Sequence, residues 1–170
     1  MRLAIYIILF LVAVQRLAEI AYAERNTRAL LARGAVEVGR AHYPLIVLLH
    51  AAWLTAIVLL LPPDATIHWW ALGLFIVLQL ARVWVIATLG PYWTTRIITL
   101  DGAPLVRKGP YRFVRHPNYL VVAGEIAVLP LAFGETGVAI VFTILNACML
   151  AWRIRQEDRA LALRRGAVIA

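Results

Sequence analysis

The residues best suited to chemistry fall in two short stretches. The first, Lys108 to Leu120, reads KGPYRFVRHPNYL; it is polar, aromatic and basic and runs directly into an apolar segment. Pro117 suits the first position of a helix, where its missing N–H costs nothing. That sets His116 beside the N-cap and leaves free helix N–H groups flanked by Arg112, Arg115 and His116, an arrangement suited to a carboxylate or phosphate. Tyr111 and Tyr119 add ring faces and hydroxyl donors. On residue chemistry alone the stretch predicts a ligand bearing an anionic group. Its structural alternative is a basic loop resting on lipid headgroups.

The second stretch, Trp152 to Leu161, reads WRIRQEDRAL. Adjacent acids, Glu157 and Asp158, follow an apolar run inside an otherwise basic tail, where sidedness has no use for them. A carboxylate there suits ribose hydroxyls or a ligand ammonium. The alternative is an interfacial amphipathic helix in which the acids pair with Arg153, Arg155 or Arg159.

Polar side chains also occur within the apolar segments, where each charge costs ~2.5–3.5 kcal/mol even on a lenient scale. Gln15 and Glu19 share a helix face, Arg16 is spaced to pair with Glu19, Gln79 and Arg82 share another face, and Glu125 and Asn146 sit in later segments. They either line a polar pocket or act as ionic glue, with Glu19 or Glu125 neutralising Arg82. His50 and His68 read as structural, and Trp69 and Trp70 as an interfacial aromatic belt. No two histidines have metal-ligand spacing, and Cys148 has no partner cysteine in the chain. With no Gly-rich phosphate loop and no GxSxG elbow either, no metal or phosphate-loop chemistry is expected.

These residues must be held by membrane helices. Hydrophobic residues make up 63% of the 170 and charged residues 15%, against ~45–50% and ~25% in soluble domains. That excludes a disordered chain, a coiled coil and a disulfide-stapled module. Apolar runs near the ~20 residues that cross a bilayer cover 3–23, 44–61, 66–89, 117–133 and 136–154. Pro62-Pro63-Asp64, Gly90-Pro91 and Phe133-Gly134-Glu135 punctuate them. The expectation is one all-α, polytopic membrane bundle over residues 1–170 with about five transmembrane helices. The first run lacks a small-residue cleavage pattern and carries Gln15, Arg16 and Glu19, so it is not read as a signal peptide.

Net charge is +8, and the arginines sit in alternate connections: 25–40, 96–115 and the tail. The positive-inside rule then puts the C-terminus in the cytoplasm and the N-terminus outside, and explains the charge without nucleic acid. Arg96 to Lys108, RIITLDGAPLVRK, reads either as a short hairpin turning at Asp101-Gly102 or as an ordered surface loop.

GPYRFVRHPNYL, followed by two helices and then RIRQEDRAL, resembles the isoprenylcysteine carboxyl methyltransferase family, in its short bacterial branch. The strong match covers about the last seventy residues; earlier, QRLAEIAYAERN and HYPLIVLLH look like that branch. Phospholipid methyltransferases and sterol reductases share related C-terminal patterns. Asp158 stands where the family usually has a second Glu, and the chain stops at Ala170 without the family's frequent aromatic tail, which predicts either a less covered cofactor or a reshaped acceptor entrance.

The resemblance implies methyl transfer from S-adenosylmethionine to a lipophilic acceptor at a bacterial inner membrane, with the tail entering from the bilayer and the cofactor from the cytosol. It implies a cytosolic-side site formed by the loop before the fourth helix and the C-terminal segment. Gly109, Pro110, Tyr111, Arg115, His116, Tyr119 and Leu120 would grip the cofactor, and Glu157 its ribose or amino group. Arg153 or Arg155 would orient an acceptor carboxylate. Were the acceptor a phenolic or pyrone hydroxyl, Glu125 or His116 would be the base. A nicotinamide-dependent lipid reductase and a small transporter are the other classes; the few intramembrane polar groups and the lack of a repeat count against the transporter.

Overall fold

The apolar runs become helices because a lipid-embedded backbone must satisfy its N–H and C=O groups internally. The computed structural model describes residues 1–40, 43–103 and 106–166. Helix α1 spans Arg2–Leu31, α2 Tyr43–Leu60, α3 Trp69–Leu89, α4 Pro117–Leu131 and α5 Thr136–Gly166. The chain is an all-α bundle with one small two-stranded ribbon. Pro104 and Leu105, within the stretch read as hairpin or surface loop, lie outside the described residues, as do the side chains of Leu161, Arg164 and Arg165.

Four helices, α1, α2, α3 and α5, are long and apolar enough to cross a membrane. Helix α4, with 15 residues, is about 22 Å long, whereas α3, with 21, is about 32 Å. The apolar runs at 3–23 and 136–154 continue as helix to Leu31 and Gly166. Long α1 and α5 beside short α4 leave a recess at one end of the bundle. The loops before α4 fill its walls.

Large apolar side chains point outward: Leu59 is 75% exposed, Phe10 66% and Ile144 59%. Lipid, not water, is the solvent that tolerates such a surface. Inside, Ile5, Leu9, Trp53, Ile57, Phe75, Ile126, Leu129 and Phe133 form one cluster from α1 to α4.

The turn from α4 to α5 is built locally. The Glu135 N–H donates to Pro130 O at 3.0 Å and the Gly134 N–H to Leu131 O at 3.2 Å, with Gly134 at φ +83°. This pair of bonds closes a helix end and needs the left-handed conformation that glycine adopts freely. The His68 N–H, at the start of α3, donates to Ala132 O at 2.8 Å. Both arginine-free turns therefore lie at one end, and the arginine-rich connections lie at the other.

At that other end β1 (Val36–Val38) pairs antiparallel with β2 (Ile97–Thr99), Glu37 opposite Ile98. Asp101-Gly102 does turn, with Gly102 at φ +72°, and among the described residues β2 pairs with β1. The α1–α2 connection supplies the partner strand. Arg96 helps hold it through Glu37 at 3.3 Å, and the Thr99 hydroxyl donates to Val36 O at 3.3 Å.

The intramembrane charges form one cluster across α1, α3 and α4. Arg82 contacts Glu19 at 2.6 Å and Glu125 at 3.0 Å; Arg16 contacts Glu125 at 2.8 Å and Glu19 at 3.1 Å. Two cations and two anions cancel, which is the ionic-glue alternative with both carboxylates taking part. Gln15 bridges Glu19 and Gln79. His50 donates from Nδ1 to Ile46 O at 2.9 Å and meets Trp53 edge-on, a structural role.

Candidate functional site

The recess is framed first by the end of α3. Asn26 of α1, 6% exposed, donates from Nδ2 to Gly90 O at 3.1 Å and to Trp93 O at 2.9 Å, pinning this turn beneath α1. After β2 the chain returns as a 3-10 turn, Gly109–Arg112, laid against α3. Gly109 sits at φ +56°, and a Cβ there would come within 2.6 Å of Thr88 Oγ1 and 3.3 Å of Trp84 Nε1. Only glycine permits both the conformation and the approach. His116 then takes the N-cap of α4 and Pro117 its first position, as the helix-start chemistry requires.

Between these elements and α5 lies a cavity of about 650 Å³, in the range of small-molecule sites. Of the residues singled out for chemistry in the sequence, Tyr111, Arg112, Arg115, His116, Tyr119, Arg153 and Glu157 line it. Gly109 and the buried Pro110 shape its wall without lining it. Leu120 is 62% exposed and Arg155 is exposed, and neither borders the cavity. Glu125, 2% exposed, is held in the ionic cluster by Arg16 and Arg82.

The polar groups are wired together across the α4–α5 seam. The Tyr119 hydroxyl donates to Glu157 Oε2 and accepts from Arg153 Nε at 2.7 Å. Arg153 Nη2 donates to Thr95 O at 2.7 Å, tying α5 to the loop that carries Trp93. The His116 ring stacks on Tyr119 with centroids 5.3 Å apart and planes 18° apart. Its Nδ1 lies 3.8 Å from Glu157 Oε1 and its Nε2 3.6 Å from Asp158 Oδ1. Glu157 lines the cavity and Asp158 does not, as expected of neighbours ~100° apart on a helix.

Burial, reinforced by the Glu157 carboxylate, pushes the Tyr111 phenol above its ordinary value, so it stays a donor at neutral pH. The lining carries Arg96, Arg107, Arg112, Arg115 and Arg153 against one acid, Glu157. Arg96 is matched by Glu24 at 3.5 Å and Glu37 at 3.3 Å. The balance leaves a cationic cavity with one placed carboxylate.

Four lining residues carry buried polar atoms without a hydrogen-bond partner: Trp93 Nε1, Arg96 Nε, His116 Nε2 and Asn118 Oδ1. Such atoms cost free energy unless a ligand or water satisfies them. Of these, Trp93 and Asn118 were not singled out in the sequence. Asn118 sits inside RHPNY and had a local signal; Trp93 had none beyond the aromatics after Gly90-Pro91. Among the described residues no group of His, Cys, Asp and Glu is arranged to hold a metal ion.

The isoprenylcysteine carboxyl methyltransferase (ICMT) family model matches residues 71–163, a range that covers α3 from Ala71 on, the cavity loops, α4, and α5 up to residue 163. The chain is 38% identical over 161 residues to YpbQ of Bacillus subtilis (strain 168), described as uncharacterized, covering 92% of this chain and 95% of that protein. It is 29% identical over 146 residues to an uncharacterized protein of Haemophilus influenzae, covering 81% and 83%. No solved structure matches the chain.

Proposed function

We propose, from the premise that this chain belongs to the isoprenylcysteine carboxyl methyltransferase family of membrane methyltransferases, that its cavity binds S-adenosylmethionine and methylates a carboxylate or hydroxyl of a lipophilic acceptor. The observation that carries the reading is the Glu157–Tyr119–Arg153 linkage with His116 stacked on Tyr119, at the wall of a cavity of suitable size. The donor set fits the cofactor. Glu157 suits a ribose diol or an ammonium, the buried Asn118 Oδ1 without a hydrogen-bond partner suits a donor, and aromatic faces suit a sulfonium.

Bound there, S-adenosylmethionine supplies a methyl group on a cationic sulfur, which leaves as a neutral thioether. The protein's own work is placement. Tyr119, itself held by Arg153, fixes the Glu157 carboxylate, Tyr111 offers a protonated hydroxyl, and the turn at Gly109 packs closely on α3. Holding two reactants in line is worth up to ~7–11 kcal/mol in favourable cases. With Nε and Nη2 committed to Tyr119 and Thr95, Arg153 acts as a positioning residue, and Arg107, Arg112 and Arg115 remain to attract an anionic acceptor. For a hydroxyl acceptor, His116 is the nearest group to take the proton; Glu125 is occupied by two arginines.

The proposal includes sidedness: the cavity end and the C-terminus face the cytoplasm, at the bacterial inner membrane, and a C-terminal reporter active only outside the cell would refute that. The function itself is tested by incubating the protein in lipid nanodiscs with methyl-labelled S-adenosylmethionine and lipophilic acids or phenols. Protein-dependent label in the organic phase, lost on Glu157→Gln, is the expected result.

A further inference from the structure

Trp93 is 3% exposed, lines the cavity, and its indole N–H is buried without a hydrogen-bond partner. An indole nitrogen only donates, so the missing partner is an acceptor atom. The Trp93 carbonyl is fixed by Asn26, and the ring packs with Ala23 of α1 and Val85 of α3, bordered by Ile86, Leu89 and Tyr111. The neighbours packed on the ring are apolar or aromatic, while Arg96, three residues on, lines the same cavity. The acids that suit a cofactor stand on α5 instead.

A second opening runs along the outer face of the same two helices. A shallow groove of about 420 Å³ between α1 and α3 is lined by Tyr22, Val83 and Ile86 near its cavity end and by Gln15, Glu19 and Gln79 deeper in. Ile86 borders both the groove and the Trp93 cluster. The Trp93 cluster is therefore the partition between a lipid-facing groove and the polar cavity. A molecule with an apolar tail and an oxygen at its head is what such a partition meets.

We infer that Trp93 is a binding residue for the lipophilic acceptor, its indole N–H donating to an oxygen of the acceptor's head at the α1–α3 end of the cavity; the inference rests on the methyltransferase reading above. The ring offers the tail an apolar face, and the single donor selects a head that carries an accepting oxygen. An acceptor of the same tail without that oxygen leaves the donor buried and unpaired, which is the asymmetry that makes one hydrogen bond selective.

The test is made on the full chain in lipid nanodiscs with ¹⁵N-labelled tryptophan indoles. The Trp93 signal is assigned as the one lost in Trp93→Phe, or in Trp93→Tyr should the first fail to fold. S-adenosylhomocysteine is added first, then N-acetyl-S-farnesylcysteine or a long-chain alkylphenol. The expected result is a Trp93 indole proton little moved by S-adenosylhomocysteine and shifted downfield by a lipid probe. Trp93→Phe should raise the KM of whichever probe is methylated about tenfold with S-adenosylhomocysteine affinity kept. A signal that shifts fully on S-adenosylhomocysteine alone assigns Trp93 to the cofactor and overturns the inference. So does a signal unmoved by either lipid while S-adenosylhomocysteine binds. Failure of S-adenosylhomocysteine to bind the unaltered protein overturns the functional reading itself, and this inference with it.

Discussion

Tyr119 and Glu157, 38 residues apart, share a hydrogen bond that joins the first turn of α4 to the extension of α5 beyond its apolar stretch. The bond makes the C-terminal segment part of the cavity wall. Arg153 completes it by donating to the same hydroxyl.

Tyr119→Phe removes the hydroxyl that both Glu157 and Arg153 use while leaving the ring that stacks on His116. A hydrogen bond to a charged group is worth ~1.5–3 kcal/mol. S-adenosylhomocysteine affinity, measured by calorimetry, should fall tenfold or more with little change in melting temperature. Unchanged affinity would make the linkage structural.

Glu157→Gln should nearly abolish methyl transfer, and Asp158→Asn should lose far less, because only Glu157 lines the cavity. Turnover of labelled S-adenosylmethionine at matched folding decides it. A dead Asp158→Asn with an active Glu157→Gln would shift the acidic contact by one residue.

Arg82→Leu leaves Glu19 and Glu125 facing each other with Arg16 as their one remaining cation. Removing one member of a buried ionic cluster costs ~3–5 kcal/mol. Thermal unfolding in detergent should show a large drop, partly recovered when Glu19→Leu is added. Equal melting temperatures would mean the cluster contributes nothing.

Burial pushes the Glu135 carboxyl from 4.5 up to about 7, and neither of its oxygens has a hydrogen-bond partner. The folded chain prefers the protonated acid, so this contribution is full below the unfolded value. It is lost as pH rises through about 7. Melting temperature should therefore decline from about pH 5 to about pH 8, and less steeply in Glu135→Gln. Parallel profiles would contradict it.

Hydropathy located the five helices to within a few residues at most ends, because lipid-facing segments are apolar all round. It missed the continuation of α1 to Leu31 and of α5 to Gly166, where the helices leave the apolar stretch and polar residues carry on the turn. The α4 and α5 wall of the cavity was legible because its residues lie in two continuous motifs. The opposite contributions were not. Trp93 becomes a lining residue through Asn26, 67 positions away, and β2 finds β1 rather than a neighbouring strand. Contacts of that separation leave no local periodicity to read. The ionic cluster lay between: its members were visible as misplaced charges, and their pairing was visible only in part.

The most direct measurement of the central claim is cofactor binding by the purified chain in nanodiscs, S-adenosylhomocysteine against NADPH. The arginine-rich lining would also suit the phosphates of a dinucleotide reductase, so the two ligands separate the readings. The expected result is saturable binding of S-adenosylhomocysteine, weakened by Glu157→Gln, and none of NADPH. Saturable NADPH binding without S-adenosylhomocysteine binding would contradict it.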